Sequence, residues 1–119
     1  MRVRHRLLIV EDRELDRELL VQIFEGQYDL DLALDGENAL AAAATLPDLI
    51  LLDIGLPGLS GLDAARAIRA TMTVPIIAVS SHVMRGDRER ALAAGCDEFV
   101  AKPIDDVELA SLVRRYLDR

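Results

Sequence analysis

The sequence predicts an α/β protein: a five-stranded parallel sheet covered by five helices on its two faces. Three observations carry this. Short apolar runs bounded by turn residues alternate with stretches of helical period along the whole chain. The central runs are continuous in Leu, Ile and Val, as strands buried on both faces require. Four of the runs end in reactive groups, namely Glu11-Asp12, Asp53, Ser80-Ser81 and Lys102-Pro103. A parallel sheet presents its chemistry at the carboxyl edge of its strands, so these groups are expected to converge on one site.

Residues 7–10, Leu7-Leu8-Ile9-Val10, form the first strand. Over residues 14–25, Leu15, Leu19, Leu20, Ile23 and Phe24 recur at helical spacing among charges, which predicts an amphipathic helix with Gly26 as its cap. Residues 28–33 alternate Tyr28, Leu30 and Leu32 with Asp29 and Asp31, the period of an edge strand with one solvated face. Asp35-Gly36 turns the chain into an Ala-rich helix over 37–45, which Pro47 stops. Leu49 to Asp53 is the third strand, 56–61 a loop and 62–70 a helix. The fourth strand spans 74–79, with Pro75 tolerated at its start. A helix rich in both charges follows over 85–94 and ends at Gly95. Residues 98–101 are the fifth strand, and Asp105 opens a last helix with Val107, Leu109, Leu112, Val113 and Tyr116 as its apolar set.

At 119 residues the chain is read as one domain, residues 1–119. Apolar residues make up 51%, which excludes disorder, and aromatics only 3%, so aliphatic side chains must fill the core. A net charge of −7 argues against nucleic acid and against an anionic membrane surface. The lone Cys96 offers no disulfide and no metal site, and is read as a packing residue. No apolar run approaches the roughly 18 residues that span a bilayer. The basic start, Met1 to Arg6, lacks the long apolar region of a signal peptide, so a cytoplasmic protein is expected.

The chemistry follows from the strand ends. Glu11, Asp12 and Asp53 at one edge repel one another unless a cation lies between them. Hard oxygen ligands of high negative charge suit Mg²⁺, which keeps several waters and accepts phosphate oxygens. Lys102 and the Ser80 hydroxyl suit the remaining oxygens of a phosphoryl group. An Asp carboxylate can itself be the nucleophile. The residues alone therefore suggest an Mg²⁺-dependent site that makes an aspartyl phosphate.

The order of these groups resembles the receiver domain of two-component response regulators, the CheY-like family. Leu8-Ile9-Val10-Glu11-Asp12, Leu51-Leu52-Asp53-Ile54-Gly55-Leu56-Pro57-Gly58, Pro75 to Ser81, Ala93 to Asp97 and Phe99 to Ile104 carry the resemblance, which covers residues 5–118. It implies a flavodoxin-like, doubly wound sheet of order 2-1-3-4-5. It also implies that Asp53 is the phosphoacceptor. Asp12, Asp53 and the Gly55 carbonyl would ligate Mg²⁺, with Glu11 acting through a bound water. Lys102 would pair with the phosphoryl group, Ser80 would hydrogen-bond it in the active state, and the Lys102-Pro103 peptide would be cis. Phe99 takes the place of the switch aromatic and, lacking a Tyr hydroxyl, would act through packing alone. The implied partners are a histidine kinase or histidine phosphotransferase and a downstream protein.

Plainer readings stand beside these: Asp53 as a strand-end cap, Asp12 as an N-cap, Ser80 and Phe99 as ordinary core residues. Ser80 stands where Thr is commoner, and Ser81 where Ala is usual. Gly55 and His82 occupy the two positions that tune phosphoryl lifetime in the family, and an exposed helix-start residue is the plainer reading of His82. The charged 85–90 segment is a solvated helix face or part of an output surface, and the first helix near Leu15 is where phosphodonor domains dock in the family. A metal-dependent phosphatase needs a second acid two residues past the nucleophile. Gly55 stands there, so no turnover of an external substrate is expected. The start at Met1 and the end after the last helix fit a stand-alone regulator; the alternative is a receiver excised from a hybrid histidine kinase or a larger regulator.

Overall fold

The computed structural model describes residues 4–55, 60–81 and 85–118. Its elements run β1 (Arg6–Val10), α1 (Glu14–Phe24), β2 (Asp29–Ala33), α2 (Gly36–Ala43), β3 (Leu49–Asp53), α3 (Gly61–Arg69), β4 (Ile76–Ser80), α4 (Asp87–Ala93), β5 (Glu98–Ala101) and α5 (Asp106–Leu117). All strand pairs are parallel and the sheet order is β2-β1-β3-β4-β5. The winding reverses between β1 and β3, and in such sheets the crevice at that reversal is the binding site.

Side chains of successive strand residues leave the sheet on opposite faces, which gives two cores. Leu8, Val10, Ile50, Leu52, Ile76 and Ala78 pack on one face, against Ala39, Ala43, Ala65, Ile68 and Ala91 from α2, α3 and α4. Leu7, Ile9, Leu49, Leu51 and Ile77 pack on the other, against Leu20, Phe24, Leu109, Leu112 and Val113 from α1 and α5. Each fully buried Leu or Ile contributes about 1.5–3 kcal/mol. The Ala-rich helices explain how a chain poor in aromatics closes a core: small side chains let helices lie close to the sheet.

Several local expectations change. The α1 cap is Glu25 in a right-handed conformation, and Gly26 is not left-handed. The chain closes instead through N–H groups of Gln27 and Tyr28 donating to Phe24 O. Gly95 is left-handed (φ 106°), and with Cys96 N–H bonded to Ala91 O it makes a Schellman end to α4. The fourth strand begins at Ile76 rather than 74, because Pro75 offers a carbonyl to Ile50 but no N–H. The helix predicted over 85–94 is shorter, because Gly86 at φ 89° breaks it and stands as its N-cap. Tyr28, just before the edge strand β2, is buried, but Leu32 on the strand is 48% exposed, so the predicted apolar alternation does not hold to the end of the strand.

Candidate functional site

Strand register brings the site together. Val10 pairs with Leu52, so Glu11 comes to lie beside Asp53. Asp53 pairs with Val79 and Ser80 with Ala101, so the hydroxyl and Lys102 follow one step further across the sheet. The Glu11 N–H donates to Ala33 O at 3.0 Å and carries the ladder one residue beyond β1. Asp53 continues the parity of Leu49 and Leu51 and therefore faces α1 and α5.

Glu11 and Asp53 are buried and Asp12 is exposed. Each offers a carboxylate oxygen, and these three oxygens lie within 4.8 Å of one another. Lys102 Nζ sits 2.7 Å from Glu11 Oε1, 2.9 Å from Asp16 Oδ2 and 3.4 Å from Asp53 Oδ2. The other Asp53 oxygen, Oδ1, accepts the Gly55 N–H at 2.8 Å. Arg13 N–H donates to Glu11 Oε2 at 3.2 Å. The Arg17 guanidinium donates to the carbonyls of Glu11 and Asp12, which ties the acid-bearing loop to α1.

Asp12 does not cap α1; that position belongs to Arg13, which makes no side-chain cap bond. Burial pushes the Glu11 carboxyl up to about 7, with neighbouring Asp53 adding to it and Lys102 opposing. Burial also pulls the Lys102 ammonium down, but Glu11, Asp16 and Asp53 outweigh it and hold the lysine above its ordinary value. The Lys102 ammonium thus contacts three carboxyl groups, of which Asp16 also pairs with Arg13, and Asp12 adds a fourth carboxyl group nearby. Such a surplus of hard oxygen donors at the mouth of the sheet fits a divalent cation of the Mg²⁺ kind.

Ser80 is buried at the end of β4, and its carbonyl accepts the Lys102 N–H at 2.8 Å. The Lys102-Pro103 peptide is cis. Phe99 is half-buried on β5 and packs against the core shared with α2, α3 and α4. Among the described residues, a Cβ built on Gly55 would meet Asp53 Oδ1 alone, at 3.4 Å. His82 lies outside the described residues, as does the loop 56–59. Leu15, at the proposed docking helix, is 78% exposed. Asp16 is the site residue that the sequence reading missed. Its one signal is its place on α1, four residues after Asp12 and so one turn away.

The family model of the response regulator receiver domain matches residues 7–114. The chain belongs to the receiver domain family of response regulators. As a receiver domain it is a module of phosphorelay signalling in two-component systems. It is 40% identical over 114 residues to the response regulator PleD of Caulobacter vibrioides, covering 92% of this chain and 25% of that protein. It is 37% identical over 119 residues to the DNA-binding response regulator MtrA of Mycobacterium tuberculosis, covering 98% of this chain and 52% of MtrA. The chain thus spans between a quarter and about half the length of these curated relatives.

Solved structures agree. A CheY-like receiver domain protein from Methanospirillum hungatei superposes with TM-score 0.92 at 25% identity, covering 98% of this chain and 95% of that one. The receiver domain of a sensor histidine kinase from Pseudomonas aeruginosa superposes with TM-score 0.89 at 34% identity, covering 98% of this chain and all (100%) of that one. That structure holds a magnesium ion in its active-site cleft. Among the described residues, no helix is long and apolar enough to cross a membrane.

Proposed function

We propose that this receiver domain takes a phosphoryl group onto Asp53 from a phosphohistidine of a histidine kinase or histidine phosphotransferase. The carrying observation is the meeting of Glu11, Asp12 and Asp53 oxygens within 4.8 Å, with the Lys102 ammonium 3.4 Å from Asp53. Asp12 and Asp53, with the Gly55 carbonyl and with Glu11 through a water, would hold Mg²⁺. The ion would supply charge neutralisation for the transferred group. A carboxylate oxygen of Asp53 forms the O–P bond as the donor's P–N bond breaks, and the electron pair leaves on the imidazole, which takes a proton. The Gly55 N–H orients the Asp53 carboxylate, and Lys102 and Ser80 receive the phosphoryl oxygens. Phe99 would respond through packing, and Gly55 and His82 would set the lifetime of the product.

Output is proposed to be protein binding controlled by phosphorylation. No external substrate is turned over, because Gly55 supplies no acid where a phosphatase needs one. Direct contact of this domain with nucleic acid is disfavoured by its net charge of −7. MtrA is a DNA-binding regulator but is about twice as long as the part matched here. The same surface chemistry serves a free-standing regulator or a receiver that is part of a hybrid histidine kinase or larger regulator; the receiver of the Pseudomonas sensor histidine kinase and the longer regulators PleD and MtrA support the second.

Incubation with Mg²⁺ and acetyl phosphate, followed by intact mass measurement, tests the reading. One phosphoryl adduct is expected in the wild type, and none in Asp53→Ala or with the metal chelated. A folded wild type that gains no adduct, or an adduct that persists in Asp53→Ala, overturns it.

A further inference from the structure

Lys102 lies closer to two other carboxylates than to the one it is meant to serve. Its Nζ is 2.7 Å from Glu11 Oε1 and 2.9 Å from Asp16 Oδ2, but 3.4 Å from Asp53 Oδ2. Glu11 belongs to the acidic cluster of the site. Asp16 does not: it stands on the first turn of α1, outside the set of oxygens that could hold a metal. Its side chain is 25% exposed, whereas the lysine side chain is only 7% exposed. The lysine is therefore drawn towards the helix by a carboxylate outside the acidic cluster that could hold a metal ion. The same Asp16 oxygen has a second cation in waiting, since Arg13 Nε lies 3.7 Å away on a largely exposed side chain.

We propose that Asp16 is a positioning residue that holds Lys102 back from Asp53 in the unphosphorylated domain. The proposal rests on the phosphoacceptor reading above and adds the competitor for its lysine. An ammonium has three protons to donate. In the resting domain two are directed at Glu11 and Asp16, and the contact with Asp53 is the longest of the three. A phosphoryl group on Asp53 brings oxygens that compete for the same ammonium. Transfer of Lys102 to them breaks the Asp16 contact, and Arg13 is placed to take the carboxylate that Lys102 leaves. Asp16 thus opposes the phosphorylated state, and α1 is coupled to the carboxyl end of β5 through one side chain. Glu14 and Glu18 on the same helix are exposed and are not among the partners of Lys102.

The test uses beryllofluoride, a phosphoryl mimic, at saturating Mg²⁺, with binding followed by ¹⁹F NMR. Asp16→Ala and Asp16→Asn are expected to bind it about fivefold more tightly than wild type, the scale of a partly exposed ion pair. Asp16→Glu is expected to return towards wild type, and Glu14→Gln, which removes a carboxylate from the same turn, to leave the affinity unchanged. The resting melting temperature of Asp16→Ala should stay level or fall while its affinity rises; a residue with a merely structural role would lower both. In the mimic-free protein, the Lys102 ¹⁵Nζ resonance should move in Asp16→Asn and stay in Glu14→Gln. Equal or weaker affinity in both Asp16 variants overturns the proposal, and so does an equal gain in Glu14→Gln, which marks a general charge effect. A wild type that fails to bind the mimic overturns the phosphoacceptor reading itself.

Discussion

Lys102 Nζ donates to Glu11 Oε1 at 2.7 Å, a contact between two side chains that are 7% and 1% exposed. Their residues lie 91 positions apart in the chain, one beyond β1 and the other beyond β5. The pair therefore ties the two strands through the mouth of the site. Removal of one partner of a buried pair leaves the other uncompensated. Lys102→Ala is expected to destabilise the metal-free domain by about 1–3 kcal/mol at pH 8. Added Mg²⁺ should recover part of that loss, because it meets the same carboxylates. Urea unfolding with chelator and with Mg²⁺ measures both effects; an unchanged midpoint in chelator would contradict the pairing.

The Glu11 carboxyl gives the resting domain a pH dependence of definite sign. It stands at about 7 in the fold against an ordinary 4.5, so the folded state keeps a proton that the unfolded chain has lost between those values. Folding stability from this group is full below the lower value and declines as pH rises through the window. Glu11→Gln cannot lose that proton. Its stability relative to wild type, in chelator, should rise from pH 5 to pH 8. The melting-temperature gain from Mg²⁺ in the wild type should also be larger at pH 8 than at pH 6, because the cation competes with the proton. A pH-independent difference between the two proteins would remove Glu11 as the source.

The residues at strand ends were legible because parallel strands have one carboxyl edge. Once the runs ending at Val10, Asp53, Ser80 and Ala101 are recognised, Glu11, Asp53 and Lys102 must meet. Asp16 was not legible for a different reason. Glu14, Asp16 and Glu18 are equivalent as charges on an amphipathic helix. Which of them reaches the site depends on how Leu20 and Phe24 seat α1 against Leu7 and Ile9. Leu32 misled because period alone cannot say where along an edge strand the covering helix stops. Gly86 could have been read as a breaker, but charge density on both sides of it masked the shorter helix.

Arg69 holds the amino edge of the sheet much as Lys102 holds the carboxyl edge. Its guanidinium donates to the carbonyls of Gly95, Met72 and Val74 at 2.9, 3.0 and 2.7 Å, and pairs with Asp97 at 2.9 Å. Asp97 in turn accepts the Ile76 N–H at 2.8 Å, where the absent Pro75 N–H leaves the strand start short of bonds. Arg69→Ala orphans three carbonyls together and should cost about 2–4 kcal/mol in urea unfolding. Arg69→Lys should recover little, because an ammonium cannot reproduce the planar fork. Asp53 phosphorylation by acetyl phosphate, measured well below the melting temperature, should be unaffected in both. A drop there would mean that the two edges are coupled.

Gly61 sets how closely α3 approaches the phosphoacceptor strand. A Cβ there would fall 2.3 Å from Ile54 Cα, 2.5 Å from Asp53 O and 2.9 Å from Ile54 C. All three are backbone atoms, so no side-chain rotation relieves the clash. The helix start or the end of β3 must move, and Asp53 lies on the part that moves. Ser60, whose side chain accepts the Asp63 N–H at 3.1 Å, pins the helix start from the other side. Gly61→Ala should therefore cost about 2–4 kcal/mol of stability and also slow phosphorylation of Asp53. Gly26→Ala is the control, because a Cβ there meets nothing within 4 Å among the described residues and should cost little. Urea midpoints separate the two variants. The rate of adduct formation at a temperature where both stay folded then decides whether the contact positions Asp53 or only packs the helix: an unchanged rate in folded Gly61→Ala would leave it a packing contact.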